Sequence, residues 1–269
     1  MTAISDAEFH KFARLLHQHA GIHLSERKKV MLATRLHRRL RHYGLHSFNQ
    51  YYRLVTEGEQ PGELQVMIDH LTTNETHFFR EPAHFRFLTE LVRSQTRDHW
   101  RIWCAASSSG EEVYTLAMVL DNALGAGRWS ILGSDISSRM LQQARRGVYP
   151  EEDNVSIPAP LLKRYCLQGI GAQAGNFAID RRLKRNIELR QINLTAPLPS
   201  IGQFDVIFIR NVMIYFDQST KHQVVKRVVA QLRPGGYILT SHSETLHGIT
   251  PELKMVRPSI YRKWAGAEC

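Results

Sequence analysis

Arg101-Ile102-Trp103-Cys104-Ala105-Ala106-Ser107-Ser108-Ser109-Gly110-Glu111-Glu112-Val113-Tyr114 is the stretch whose reading decides the fold. Arg101–Ala105 reads as a short strand. Small residues follow, and a helix is expected from Gly110 to Leu124. A strand, a loop of small residues and then a helix is the nucleotide-site layout of doubly wound sheets. Small side chains let a ligand approach the backbone, and the helix N-terminus offers unpaired N–H groups.

The loop lacks a full G-x-G-x-x-G, and two glutamates at the helix start repel phosphate. That disfavours a dinucleotide and favours a ligand with a cationic part, such as the sulfonium and ammonium groups of S-adenosylmethionine. Acids in a first helical turn are also ordinary in themselves, so the neighbouring segments carry the decision.

Downstream the rhythm continues. Ser130–Ser134 reads as a strand and Ser137–Arg146 as a helix. Phe204–Arg210 is an apolar run suited to a buried parallel strand. Lys221–Leu232 reads as a helix and Tyr237–Ser241 as a strand, with Pro234-Gly235-Gly236 as punctuation between them. Alternating strands and helices predict an α/β fold, a doubly wound and mostly parallel sheet covered on both faces. Asp135 ends the second strand, where an acid typically accepts from ribose hydroxyls, although it or Ser137 could simply cap the next helix. Asn193-Leu194 and Asn211-Val212 follow later strands, at the carboxyl ends where such sheets bind ligands. The asparagines could hold an adenine edge and an amino-acid tail, or serve only as turn residues. Between Arg146 and Ile187 the alternation breaks. Candidate strands Lys163–Leu167 and Asn176–Asp180 flank Gly169, Gly171 and Gly175, which predicts a small antiparallel insertion with a glycine-bearing hairpin.

Residues 6–71 read as helices, and Thr72–Pro82 as a polar connector. Asp6 is expected to cap a helix through Leu16. Ser25 is expected to cap a second that ends at Gly44, and Ser47 to start a third through Val55. After a turn over residues 57–62, Leu64–Leu71 completes the set. The second helix places Leu32, Ala33, Leu36, Leu40 and Tyr43 on one side and Arg27, Lys28, Arg35, Arg38, Arg39 and Arg41 on the other. The organisation read from this is an N-terminal basic helical domain (1–71), a linker contributing to the active site (72–84), and an α/β domain (85–269) with an insertion at about 160–186.

The formal net charge is +10. Residues 1–56 hold ten Lys and Arg against three acids, a net of +7. Such a patch attracts an acidic partner or is simply a solvated face. No apolar run reaches the roughly 18 residues of a membrane span, and Met1–Glu8 has no signal-peptide character, so a cytoplasmic protein without membrane insertion is expected. Cys104, Cys166 and Cys269 form neither a metal nor a disulfide pattern. His42 and His46 have helical spacing, but Gly44 intervenes and no carboxylate accompanies them, so no metal site is expected.

Two segments go beyond fold-level signals: Leu71-Thr72-Thr73-Asn74-Glu75-Thr76-His77-Phe78-Phe79-Arg80-Glu81 and Arg210-Asn211-Val212-Met213-Ile214-Tyr215-Phe216-Asp217. With Gly110-Glu111-Glu112-Val113-Tyr114 and Ser241-His242-Ser243-Glu244, they resemble the CheR family of chemotaxis receptor methyltransferases, in the same order and over nearly the whole chain. The family usually has Pro where Val113 stands, a change confined to the first helical turn.

The resemblance implies a methyltransferase domain of Rossmann-like type behind an all-helical domain. It implies methyl transfer from S-adenosylmethionine to glutamate carboxylates of bacterial chemoreceptors, with S-adenosylhomocysteine as product. Asn74, Thr76 and Arg80 would close over the cofactor, and Glu112, Asp135, Asn193, Leu194, Asn211 and Val212 would bind it. A glutamate with a pKa of about 4.3 is already an anion at neutral pH and needs no general base, so the expected site has no catalytic His or Cys. Arg80 could aim one carboxylate oxygen while the other attacks, and Tyr215 could assist. Arg35, Arg38 and Arg39 would dock on the glutamate-rich helical region of a receptor. The hairpin with Gly169, Gly171 and Gly175 would take a receptor C-terminal peptide by β-augmentation. A nucleic-acid partner is not expected, because the basic face lacks interleaved aromatics. A non-enzymatic S-adenosylmethionine sensor is the competing class; it would need no Arg80. Nothing demands more than a monomer.

Overall fold

The computed structural model describes residues 3–58 and 60–264. Glu59, in the expected turn, and Cys269 lie outside the described residues.

Four helices open the chain: α1 (Asp6–Ala20), α2 (Lys29–His42), α3 (Phe48–Thr56) and α4 (Glu63–Leu71). The first does not start as expected. Ser5, not Asp6, is the N-cap, and Ser5 and Glu8 bond reciprocally in a capping box. α1 also runs a turn past Leu16, until Gly21 takes φ +67, a conformation glycine adopts at no steric cost. Ser25 opens a 3-10 turn at Glu26–Lys28 without a side-chain cap, so α2 starts later than expected. Ser47 caps α3 as expected, with Gln50 completing the box. Phe9, Phe12, Leu16, Leu32, Leu36 and Phe48 belong to the core of this bundle.

After α5 (Pro82–Ser94) come β1 (Trp100–Ala105), α6 (Glu111–Leu124), β2 (Trp129–Asp135) and α7 (Ser138–Arg146). The insertion holds β3 (Val148–Pro150), α8 (Ala159–Tyr165), β4 (Cys166–Gln168), β5 (Asn176–Ile179) and α9 (Arg181–Lys184). The chain returns through β6 (Ile187–Gln191), β7 (Phe204–Ile209), α10 (Gln218–Ala230), β8 (Leu232–Leu239), β9 (Leu253–Arg257) and β10 (Ile260–Lys263).

The main sheet has the order β6-β2-β1-β7-β8-β10-β9. Its first five strands are parallel, and the β9–β10 hairpin closes one edge antiparallel. Successive residues of β1 point to opposite faces. Ile102 and Cys104 join a core with α5 and α6, while Trp103 and Ala105 join one with α10. Because β2 and β7 lie on either side of β1, the order reverses there, and that switch point opens a crevice at the carboxyl ends.

Two expectations fail locally. Lys163–Tyr165 is helical, leaving β4 only three residues, and β3 joins β5 from outside the expected insertion. Strands this short are too brief for an alternating pattern to register. Pro234-Gly235-Gly236 lies inside β8 rather than before it. The β7–β8 register slips between Phe204 and Val206, and Gly235 takes φ +73, so the triplet occupies a bulge where a ladder donor is not required.

Contacts of α1 and α4 help to seat the bundle on the sheet domain. Asp69 of α4 caps α7, accepting from Ser138 N and Arg139 N at 3.1 and 3.3 Å. His17 of α1 meets Asp217, the N-cap of α10, at 2.8 Å.

Candidate functional site

A cleft of about 470 Å³ opens at the switch point between β1 and β7. One wall is the carboxyl ends of the parallel strands, including Ser108, Asp135, Asn193, Leu194, Asn211 and Val212. The linker residues Asn74, Thr76 and Arg80 form another, and the α1–α2 connection with Ile22 and Lys28 closes the third. Every residue expected at a cofactor lines this cleft, and so does Tyr215. Arg35, Arg38, Arg39, Gly169, Gly171 and Gly175 lie outside its lining.

The β1–α6 loop is tight. Gly110 has φ +100, and a Cβ there would stand 2.8 Å from the Ala144 Cβ, so only glycine fits between this turn and α7. Ala106 and Ser108 also take positive φ. Asp135 is buried and accepts from Ser108 N and Ser137 N, both at 2.8 Å. Burial raises its pKa, while these N–H groups oppose the rise. Asp135 thus ties β2 to the β1 loop, and Ser137 independently caps α7.

The glutamates of α6 divide their work. Glu111 turns inward and accepts from the Ser109 hydroxyl; burial pushes its pKa up to about 6. Glu112 faces the cleft, pairs with Arg210 and accepts from the Cys104 thiol at 3.2 Å. Burial, then the neighbouring Glu112 charge, pushes the Cys104 thiol well up, so this cysteine is no nucleophile.

Arg210 was not singled out as a site residue, yet it organises the cleft floor. Its side chain is 1 % exposed. It pairs with Glu112, reaches Glu81 Oε2 at 3.0 Å and donates to the Arg80 main-chain oxygen at 2.7 Å. The sequence signal was a cation directly after the apolar run Val206–Ile209. Glu244 was also missed. Its carboxylate accepts from Asn211 N (2.9 Å), Met213 N (2.8 Å) and the Ser241 hydroxyl (2.7 Å), fixing the turn in which Asn211 adopts φ +57.

Asn193 differs from expectation. Its amide donates to His19 O at 2.7 Å and accepts from Thr195, so the side chain ties the cleft rim to α1. Arg80 is half-buried, with Nη1 on Glu75 O at 3.1 Å.

The basic face of α2 is likewise corrected. Arg39 turns inward, its fork on Glu63 at 2.8 and 2.7 Å, and Tyr43 and Tyr51 donate to the same carboxylate. Burial opposes the Glu63 charge, but the Arg39 fork and the two phenols outweigh it and hold the carboxyl below its usual range. Arg35 donates to Leu71 O and Thr72 O, bracing the start of the linker. Arg38 and Arg41 remain exposed. A helical-wheel reading cannot see a buried acid supplied by another helix.

Comparison with known proteins follows the same division. Residues 7–72 match the family model for the CheR methyltransferase all-alpha domain, and residues 74–261 that for the CheR methyltransferase SAM binding domain. The chain belongs to the CheR methyltransferase family. It is 42% identical to a chemotaxis protein methyltransferase 2 of Pseudomonas aeruginosa, over 94% of this chain and 92% of that protein. It is 38% identical to the chemotaxis protein methyltransferase of Escherichia coli, over 96% and 91%. The corresponding Borreliella burgdorferi protein is 34% identical, over 97% and 95%. Membership in the CheR family makes the sheet domain a methyltransferase domain that binds S-adenosylmethionine. The cleft fits that cofactor: it is lined by the small residues Ala106, Ser107 and Ser108, it presents Glu112 rather than a phosphate cradle, and its volume lies in the usual range for small-molecule sites. No helix among the described residues is long and apolar enough to cross a membrane.

Proposed function

We propose that this protein methylates glutamate side chains of bacterial chemoreceptors, forming glutamate methyl esters and S-adenosylhomocysteine in the cytoplasm, where it is recruited to the receptors. The observation that carries the reading is the union, in one cleft, of the cofactor-type strand ends with linker residues Asn74, Thr76 and Arg80. The relatives named as chemotaxis protein methyltransferases supply the substrate class.

When bound, S-adenosylmethionine supplies an electrophilic methyl group on a sulfonium with a good leaving group. Glu112, Asp135 and Asn211 hold it, with Leu194 and Val212 as apolar lining, the backbone near Asn193 at the rim, and Asn74 and Thr76 closing from the linker. Arg80 binds the incoming carboxylate through one oxygen and leaves the other free. Tyr215 lines the same cavity and orients that carboxylate. No residue has to remove a proton from an anion, so alignment and exclusion of water are what the chain contributes.

The three units read from the sequence, 1–71, 72–84 and 85–269, divide the labour into docking, closure and transfer. The exposed Arg38 and Arg41 meet the acidic receptor helices, while Arg35 and Arg39 shape the helix that presents them. β4 is an edge strand of the small sheet, and Leu167 within it and Ile170 just after it are exposed. Its glycine-bearing hairpin suits a receptor C-terminal peptide added as a further strand. The enzyme works as a monomer.

Peptide mass mapping of a receptor cytoplasmic fragment, incubated with enzyme and cofactor, tests the proposal. Single methyl additions confined to glutamates of the helical region support it. Modification at lysine or arginine, or none on any of several receptors, rejects it.

A further inference from the structure

Beside the cleft, three groups from two distant parts of the chain converge. Glu81 and His84 stand at the start of α5, and His242 lies in the loop after β8. Glu81 Oε2, His84 Nδ1 and His242 Nε2 all lie within 4.8 Å of one another. Glu81 Oε2 is 3.4 Å from His84 Nδ1 and 3.8 Å from His242 Nε2. His84 is 1 % exposed, and its Nδ1 has no hydrogen-bond partner.

One hydroxyl fixes the protonation pattern. Ser259 Oγ donates to Pro258 O at 2.6 Å. It can therefore only accept from His84 Nε2, at 2.7 Å. That nitrogen carries the ring proton, and Nδ1 presents a bare lone pair toward Glu81. The same hydroxyl stands 3.5 Å from His242 Nδ1, which favours the matching tautomer there, with Nε2 bare. Two imidazole nitrogens and a carboxylate oxygen thus lie within 4.8 Å of one another. Arg210 reaches that Glu81 oxygen at 3.0 Å, but the buried His84 Nδ1 is left without a donor.

We infer that Glu81, His84 and His242 form a binding site for a divalent metal ion of the zinc class, with a fourth position open to water. Two imidazoles and one carboxylate are a familiar donor set for zinc with one site left open. A second partner on the far ring nitrogen, here Ser259, is the arrangement that orients metal-bound histidines. With bonds of about 2.0–2.1 Å in a tetrahedron, ligand atoms stand roughly 3.3 Å apart; the two distances to Glu81, 3.4 and 3.8 Å, are close to that, and the exposed His242 ring has to swing inward to complete the set. The side chain of His242 is 54 % exposed, which gives the ion a route in. Arg210 is the adverse charge, at 3.0 Å from the same Glu81 oxygen, and its pairing with Glu112 offsets it. The ion would clasp the residue after Arg80 to the Ser241–Glu244 loop, whose Glu244 sets the Asn211 turn. Sequence spacing could not reveal the site, because His242 lies 158 residues beyond His84.

Untagged full-length protein, stripped with a chelator, is titrated with Co²⁺ and followed by visible absorption, then challenged with Zn²⁺. One Co²⁺ per chain with the spectrum of a four-coordinate site, displaced by Zn²⁺, is expected. His242→Ala alters an exposed side chain and should abolish that signal while leaving the circular dichroism unchanged. Ser259→Gly suits the backbone there (φ +59) and should weaken binding about 10–100-fold. No stoichiometric uptake, or uptake unaltered in both variants, overturns the assignment; the latter would place the ion on other histidines.

Discussion

The guanidinium of Arg210, at the end of β7, donates to the main-chain oxygen of Arg80 across 2.7 Å. A buried cation on the sheet thereby sets where the linker presents its own arginine. The same group neutralises Glu112 and Glu81, so Arg210 holds the sheet, α6 and the linker in one network. Arg210→Ala would leave two carboxylates uncompensated, at a cost of about 3–5 kcal/mol. Urea unfolding should report a loss of that order. A change under 1 kcal/mol would mean that water replaces the guanidinium cheaply.

Arg80 has a different expected signature. Its side chain donates to a main-chain oxygen, Glu75 O at 3.1 Å, so Arg80→Ala should unfold like the parent protein. Methyl transfer should fall by about 100-fold or more, as for loss of a charge-assisted contact of roughly 3 kcal/mol. Cofactor affinity by calorimetry should change only modestly. Retained turnover would remove Arg80 from the reaction.

Two neighbouring arginines on α2 should separate docking from folding. Arg39→Ala strands the buried Glu63 and should destabilise by about 3–5 kcal/mol. Arg38→Glu, on the exposed face, should leave stability alone and raise KM for receptor, with an effect that shrinks as salt screens it. Equal behaviour of the two variants in both assays would contradict the division drawn here.

Glu111 gives a prediction in pH. Its folded pKa is pushed up to about 6 by burial. The folded state therefore holds this proton more tightly than the unfolded chain. Its contribution is fully present below the ordinary glutamate range and is lost as pH rises through about 6, a span of roughly 2 kcal/mol. Glu63 works in the opposite sense, its contribution being lost as pH falls below the usual carboxylate range. Glu111→Gln should gain stability relative to the parent as pH goes from 4 to 7. A pH-independent difference in unfolding midpoints would show that Glu111 does not titrate in this range.

Much of this was legible in the sequence, for local reasons. β1, its small-residue loop and α6 follow from period and residue size, and the residues at the strand ends fall into one cleft because topology forces them there. The misreadings share a cause. Arg39, Arg35 and Asn193 have partners supplied from distant segments: Glu63, the carbonyls of Leu71 and Thr72, and His19 O. No local pattern encodes such partners. β3 and β4, at three residues each, are made by pairing with β5 rather than by their own propensity.

The most direct test is the chemistry of the transferred methyl. Purified receptor cytoplasmic fragments are incubated with the enzyme and methyl-labelled S-adenosylmethionine, then exposed briefly to mild base. The account predicts label on the receptor that base releases as methanol, the behaviour of a carboxyl methyl ester. Label that survives base would mean transfer to nitrogen or carbon and would contradict the glutamate assignment.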